Sequence, residues 1–230
     1  MALKTDILFF GSHPDDVELS CGGTILNYTS SGIKIRIIDL TLGELGTRGT
    51  VQLRQKEASQ AAKVLGALSR ENLKIKDGDI ENTSSNRLKV IRVIRKYKPE
   101  VIFLPYPSDR HPDHINASTL IRESAFYSGL EKIHTKLNGV NQKHHRPSKL
   151  IYYMQTYPFE PSFIVDISNF WEIKKKAISA YESQIKNINP GQPYPLLEKC
   201  EIISRYFGCN INALYGEPFI SNDSLNMDPF

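Results

Sequence analysis

The stretch Ile7-Leu8-Phe9-Phe10-Gly11-Ser12-His13-Pro14-Asp15-Asp16 decides how the rest of the chain is read. Its first four residues are apolar without alternation, and Gly11 stops them, which is the pattern of a strand covered on both faces in a parallel sheet. An imidazole and two carboxylates follow directly. A second apolar run, Val101-Ile102-Phe103-Leu104, precedes Arg110-His111-Pro112-Asp113-His114. Open α/β sheets carry their chemistry beyond the carboxyl ends of the strands, so both motifs stand where a site is expected.

Outward from that stretch, strands and helices alternate. A helix is expected over 23–31, closed by Gly32, and a strand over 34–40. The Gly-rich loop 43–50 leads to a helix over 51–65, with Thr50 as N-cap and Gly66 as stop. A short strand near 73–75, a helix over 87–97 ended by Pro99, a strand over 101–105 and a helix over 115–128 come next. The polar, basic segment 139–149 reads as a mobile loop. Strands near 150–154 and 163–166 and helices over 171–183 and 196–207 complete the series. The expectation is an α/β Rossmann-like three-layer fold, with a mostly parallel central sheet flanked by helices. A strand order 3-2-1-4-5 makes the first and fourth strands neighbours and brings the two motifs into one crevice. Residues 1–219 read as one domain and 220–230 as a disordered tail.

Composition narrows the class. A chain of 230 residues with 40% hydrophobic and 23% charged content is ordinary for a globular domain. Its net charge of +4 is small and its Lys and Arg are scattered, which disfavours nucleic acid as a partner. No apolar stretch reaches membrane-spanning length and no signal-peptide core is present. Cys21, Cys200 and Cys209 form no CxxC and no even framework, so reduced thiols in the cytoplasm are expected.

His13 and Asp16, three residues apart, can face one cation in a turn that opens toward a helix, and His114 supplies a third ligand from the neighbouring loop. Two imidazoles and a carboxylate suit a divalent metal such as zinc and leave positions for water and a substrate carbonyl. Asp15, beside the ligands, is a candidate base. His111 could stabilise an oxyanion or protonate a leaving amine. Asp113 either holds that imidazole in its productive tautomer or caps the helix beginning near Ile115. Each His-Pro-Asp cluster also reads as a plain turn, but two at matching places in the sheet weigh against coincidence.

With His-Pro-Asp-Asp after the first strand and His-Pro-Asp-His after the fourth, the chain resembles the PIG-L/LmbE superfamily of zinc-dependent N-acetylglucosamine deacetylases. The resemblance implies that His13, Asp16 and His114 bind the metal, Zn2+ or alternatively Fe2+. It implies Asp15 as general base and His111 as electrostatic or acid catalyst in hydrolysis of an acetamide. Further segments are similar to the bacillithiol-biosynthesis branch, which acts on N-acetylglucosaminyl malate. These are Asp39-Leu40-Thr41 with Gly43-Glu44-Leu45-Gly46-Thr47-Arg48-Gly49-Thr50, Val165-Asp166-Ile167-Ser168, Ala180-Tyr181-Glu182-Ser183-Gln184 and Gly216-Glu217-Pro218-Phe219. Ser12 departs from the family's usual alanine. A small-molecule sugar conjugate is the implied partner, with no nucleic acid or membrane, and a homo-oligomer is expected. Another N-acetylglucosaminide such as chitobiose is the alternative substrate. A non-catalytic sugar-binding module is the alternative class, against which Asp15 stands, since a binder needs no base.

Malate carboxylates call for bidentate arginines, and Arg48, Arg54 and Arg110 lie near the expected crevice. Arg54 and Arg110 are favoured because they adjoin the motif loops. Glu44 meets a substrate hydroxyl or caps loop amides. His144 and His145 read as solvent-exposed, Cys21 as a small buried side chain, and Tyr194, between two prolines, as a structural turn residue. Gly22-Gly23 opens a helix as phosphate loops do, but without GxGxxG or a Walker pattern.

Overall fold

The computed structural model describes residues 4–185 and 193–224. In chain order its elements are β1 (Ile7–Gly11), α1 (Asp16–Ser30), β2 (Ile35–Thr41), α2 (Val51–Val64), β3 (Ser69–Ile75), α3 (Ser84–Tyr97), β4 (Val101–Pro105) and α4 (Pro112–Ser128). Then come β5 (Lys136–Leu137), β6 (Val140–Asn141), β7 (Lys149–Tyr153), β8 (Phe163–Asp166), α5 (Trp171–Ser179), α6 (Glu182–Ile185), α7 (Leu196–Cys209) and β9 (Gly216–Ser221). Every residue of β1 and β2 is buried, because helices cover both faces of the sheet. Leu8 and Phe10 pack on one side with Ile38, Leu40, Ile94 and Leu120, while Ile7 and Phe9 pack on the other with Ile25, Ile37 and Phe103.

The main sheet has the order β3-β2-β1-β4-β7-β9-β8. β1 lies parallel between β2 and β4, in the expected arrangement, with Ile7 opposite both Ile35 and Val101. The α/β class and the mostly parallel sheet are as expected. β9 is not legible in the sequence, and among the described strands of the main sheet it alone runs antiparallel, between β7 and β8. Its Gly-Glu-Pro start is poor in strand formers. Pro218 is tolerated because it pairs with Ile164 of β8 but lies beyond the β7 ladder, which begins at Phe219. Ile220 and Ser221, which the sequence assigns to a disordered tail, belong to this strand; the expectation for 225–230 lies outside the described residues.

Helix starts differ from expectation. α1 begins at Asp16, straight off the motif turn, so Gly22 and Gly23 lie within it rather than opening it. Their role is close packing: a Cβ at Gly23 would stand 2.5 Å from Cβ of Ile167, and one at Gly22 would stand 3.0 Å from Lys174 Cγ. α4 begins at Pro112, a residue suited to the first helical turn, with His111 as its N-cap. Thr50 caps α2 as expected, accepting from the Leu53 amide. β3 starts at Ser69, earlier than its polar residues suggest, because an edge strand is only half-buried. The segment 139–149 is no free loop. It closes a hairpin at Val140–Asn141, and the His145 ring lies 2.7 Å from the Pro99 carbonyl oxygen. The expected helix over 171–183 is split into α5 and α6, and α7 continues to Cys209. Among the described residues no helix is long and apolar enough to cross a membrane.

Candidate active site

Both motifs lie at the carboxyl edge of the sheet, one after β1 and one after β4. Asp15 turns the chain into α1 with φ of 115°, a left-handed conformation costly for a side-chain-bearing residue. The turn is pinned from several sides. The His13 amide donates to Asp16 Oδ2 at 2.9 Å, and the Thr41 amide donates to the Ser12 carbonyl at 3.0 Å. Behind it, Arg70 pairs with both Glu18 of α1 and Asp39 of β2.

His13, Asp16 and His114 meet as the sequence suggests. Their ligand atoms lie within 4.8 Å of one another and all three residues are buried. His13 Nδ1 is 3.6 Å from Asp16 Oδ2, and His114 Nε2 is 3.6 Å from Asp16 Oδ1. The outward nitrogens are held by carboxylates: His114 Nδ1 is 2.9 Å from Asp109 Oδ1, and His13 Nε2 is 3.0 Å from Asp77 Oδ1. An imidazole aimed inward and anchored outward on a carboxylate is how proteins prepare metal-binding histidines. The donor set therefore fits a divalent cation.

Electrostatics agree. Burial alone would lower the His13 ring, but bonds to Asp113, Asp16 and Asp77 outweigh it and push it up to about 12. At neutral pH the ring therefore carries a proton that a bound cation would displace. Despite burial, His114 and His13 hold Asp16 well below the usual carboxylate range. Burial lifts Asp15 to about 7 against the pull of the Arg54 guanidinium. His111 is lowered by burial and then by the neighbouring His114 and His13 rings. Its Nδ1 accepts from the Asp113 amide at 3.2 Å, which leaves the neutral ring's proton on Nε2.

Asp113 requires a correction. Its carboxylate does not hold His111; its Oδ2 lies 3.1 Å from His13 Nε2 and accepts from the Gly78 amide at 2.8 Å. Nor does its side chain cap α4, because His111 occupies the cap position. The reason is the early helix start, which turns the Asp113 carboxylate to the β1 side.

The expected substrate residues separate. Arg54 is buried and committed: its Nη2 lies 2.8 Å from Asp15 Oδ2 and donates to the Pro14 carbonyl at 2.8 Å. Its length carries it past the crevice mouth to the motif turn. Glu44 takes the second of its readings, accepting from the Leu42 amide at 3.2 Å and the Asp77 amide at 2.9 Å. Arg48 offers its carbonyl to Gln184 Nε2 at 3.1 Å. Arg110 does line a cavity of about 210 Å³ that opens beside Asp16 and His114, together with Gln155 and Lys199. Tyr194 and Cys200 line it too, so Tyr194 is more than a turn residue. Asp77 and Asp109, missed in the sequence, were detectable only by position: one follows β3 and the other precedes the second motif.

Fold and site thus define a Rossmann-like α/β protein with a His-Asp-His cluster suited to a metal. The family model described as PIG-L, GlcNAc-PI de-N-acetylase, matches residues 8–125. A diacetylchitobiose deacetylase of Thermococcus kodakarensis is 30% identical over 97% of this chain and 86% of its own. A probable N-acetyl-alpha-D-glucosaminyl L-malate deacetylase 2 of Bacillus anthracis is 28% identical over 54% of this chain and 61% of its own. Among solved structures, a conserved protein of Thermus thermophilus superposes with a TM-score of 0.89 at 36% identity, over 98% of each chain. The chain belongs to the PIG-L family, and with it to the N-deacetylase hydrolases.

Proposed function

We propose that the chain removes the acetyl group of N-acetylglucosaminyl malate, a step of bacillithiol biosynthesis, in the cytoplasm. One observation carries the aglycone assignment. Arg110 and Lys199 line the cavity beside Asp16 and His114, and neither forms an ion pair among the described residues. The third cation of the wall, Lys174, is neutralised by Glu217 at 2.6 Å. Both are exposed at the cavity wall, and two cations without ionic partners suit a dicarboxylate, whereas to a neutral sugar they offer only hydrogen bonds. The Bacillus anthracis relative and the GELGTRGT and GEPF segments support the same reading. Unpaired cysteines accord with the compartment.

His13 Nδ1, Asp16 and His114 Nε2 would hold the cation, for which zinc is proposed. A divalent cation there supplies Lewis acidity toward the acetyl carbonyl and lowers the pKa of a water. Asp15 takes the attacking water's proton, and Arg54 keeps its carboxylate aimed. A carboxyl near 7 suits that exchange at neutral pH. His111 donates from Nε2 to the developing oxyanion. The proton taken by Asp15 passes to the leaving nitrogen, giving acetate and a free amine.

A relative matched along nearly the whole chain is a diacetylchitobiose deacetylase, which makes chitobiose the second reading. Acetate release from N-acetylglucosaminyl malate, N,N'-diacetylchitobiose and N-acetylglucosamine separates the two. The malate conjugate should be preferred. Arg110→Ala and Lys199→Ala should each cost about 10- to 100-fold in kcat/KM on it, the worth of a charge-assisted bond, and little on the uncharged sugars. A preference for the disaccharide would overturn the malate assignment in favour of chitobiose.

A further inference from the structure

Nε2 of His13 faces two carboxylates at once, Asp77 Oδ1 at 3.0 Å and Asp113 Oδ2 at 3.1 Å. All three residues are buried. A neutral imidazole N–H needs one acceptor, and bringing two anions together out of water is costly unless positive charge lies close by. The surplus negative charge is matched if Nδ1, on the far side of the ring, carries a proton or, in its place, a metal cation.

Asp77 reaches further than its partner. Its Oδ2 accepts from the Leu45 amide at 2.8 Å, and its own amide donates to Glu44 Oε1 at 2.9 Å. Gly78, next along the chain, donates to Asp113 Oδ2. Gly78 has φ of +72°, and a Cβ there would stand 2.6 Å from Leu45 Cδ1, so this turn is built for close approach to the loop after β2. The pair Asp77-Gly78 therefore ties together loops that follow β1, β2 and β4.

We infer that Asp77 is a positioning residue of the cation site, which sets the site's affinity through Nε2 of His13 and couples it to the loop after β2. The inference rests on the proposed role of His13 Nδ1 as a ligand. It assigns Asp77 no contact with substrate. It also explains why Glu44 is turned to the backbone of residue 77.

Competition between the protein and a chromophoric chelator for Zn2+, together with the visible spectrum of the Co2+ form, tests it. Wild type and His13→Ala define the site; a wild type without tight cation binding, or a His13→Ala variant that binds like wild type, would overturn the ligand reading and the inference with it. If those controls behave, Asp77→Ala should weaken the cation about 10- to 100-fold, the usual worth of such an outer partner. The Co2+ spectrum should shift, and the Leu45 amide should exchange hydrogen faster. Asp77→Asn keeps the side-chain shape but turns one acceptor oxygen into an NH2 donor, so with its carbonyl on the Leu45 amide it loses the bond from His13 Nε2 and should show a loss in the same direction, whether or not Asp77→Ala folds. The melting temperature of cation-free Asp77→Asn should stay near that of the cation-free wild type. Wild-type affinity and spectrum in Asp77→Asn and in any folded Asp77→Ala, or a melting loss in cation-free Asp77→Asn without an affinity loss, would overturn the inference and leave the ligand reading standing.

Discussion

Arg54 and Asp15, 39 residues apart in sequence, are joined by a 2.8 Å bond from Nη2 to Oδ2. The same guanidinium holds the Pro14 carbonyl oxygen through both Nε and Nη2, at 3.1 and 2.8 Å. One buried side chain from α2 thus grips both the backbone and the carboxylate of a turn held in a strained conformation.

Removing that grip should misplace the base for every substrate alike. Arg54→Ala is expected to lower kcat by about 100-fold, the cost of a displacement near 1 Å. The loss should be the same on N-acetylglucosaminyl malate and on N-acetylglucosamine, with bound cation retained. A selective loss on the charged substrate would return Arg54 to the aglycone.

Asp15 stands next to a proposed ligand without being one. Asp15→Asn should keep its cation by elemental analysis and lose about 10²- to 10⁴-fold in kcat. His114→Ala should instead lose the cation itself. Near-normal turnover of Asp15→Asn would remove it from the proton transfer.

Glu217 is buried with Lys174, and its two oxygens also accept from the Gly23 and Thr24 amides of α1 at 2.8 and 2.7 Å. Deleting one member strands the other charge, so Glu217→Ala should cost about 3–5 kcal/mol in denaturant unfolding. The pair change Lys174→Met with Glu217→Gln should recover part of that loss.

Gly23 offers a contrast between local and tertiary preference. Alanine in mid-helix gains about 1 kcal/mol by propensity, but its Cβ would stand 2.5 Å from Ile167. Overpacking of that kind costs about 1–3 kcal/mol. Gly23→Ala should therefore destabilise the protein, and a raised melting temperature would show that α1 can shift away.

Burial pushes the Cys21 thiol well above its ordinary range and raises Cys200 as well, so both stay protonated at neutral pH. Exposed Cys209 should be alkylated first by iodoacetamide, and Cys21 only on unfolding, as followed by mass spectrometry. Filling the cavity with the malate conjugate should slow modification of Cys200, which lines it.

What could be read in advance was what the chain writes locally. β1 and β4 are short, apolar and sharply stopped, and the motifs behind them fix which loops hold the chemistry. The starts of α1 and α4 were obscured because Asp16 and Pro112 serve the turn and the helix at once. Asp77 and Asp109 were missed, and the grip of Arg54 on Asp15 went unseen, for a different cause. Their roles are set by what they touch from distant parts of the chain, and nothing in Lys76-Asp77-Gly78 announces the ring of His13. β9 was missed because its partners, not its composition, make it a strand.

That strand constrains how the molecule can be assembled. Residues 216–221 leave the ribosome after every other strand described, yet they fill the gap between β7 and β8. A sheet formed before they arrive would present β7 as an open ladder edge and leave the ammonium of Lys174 without Glu217. Closure of the fold is therefore a late event that follows synthesis of β9 rather than one that proceeds strand by strand from the amino terminus.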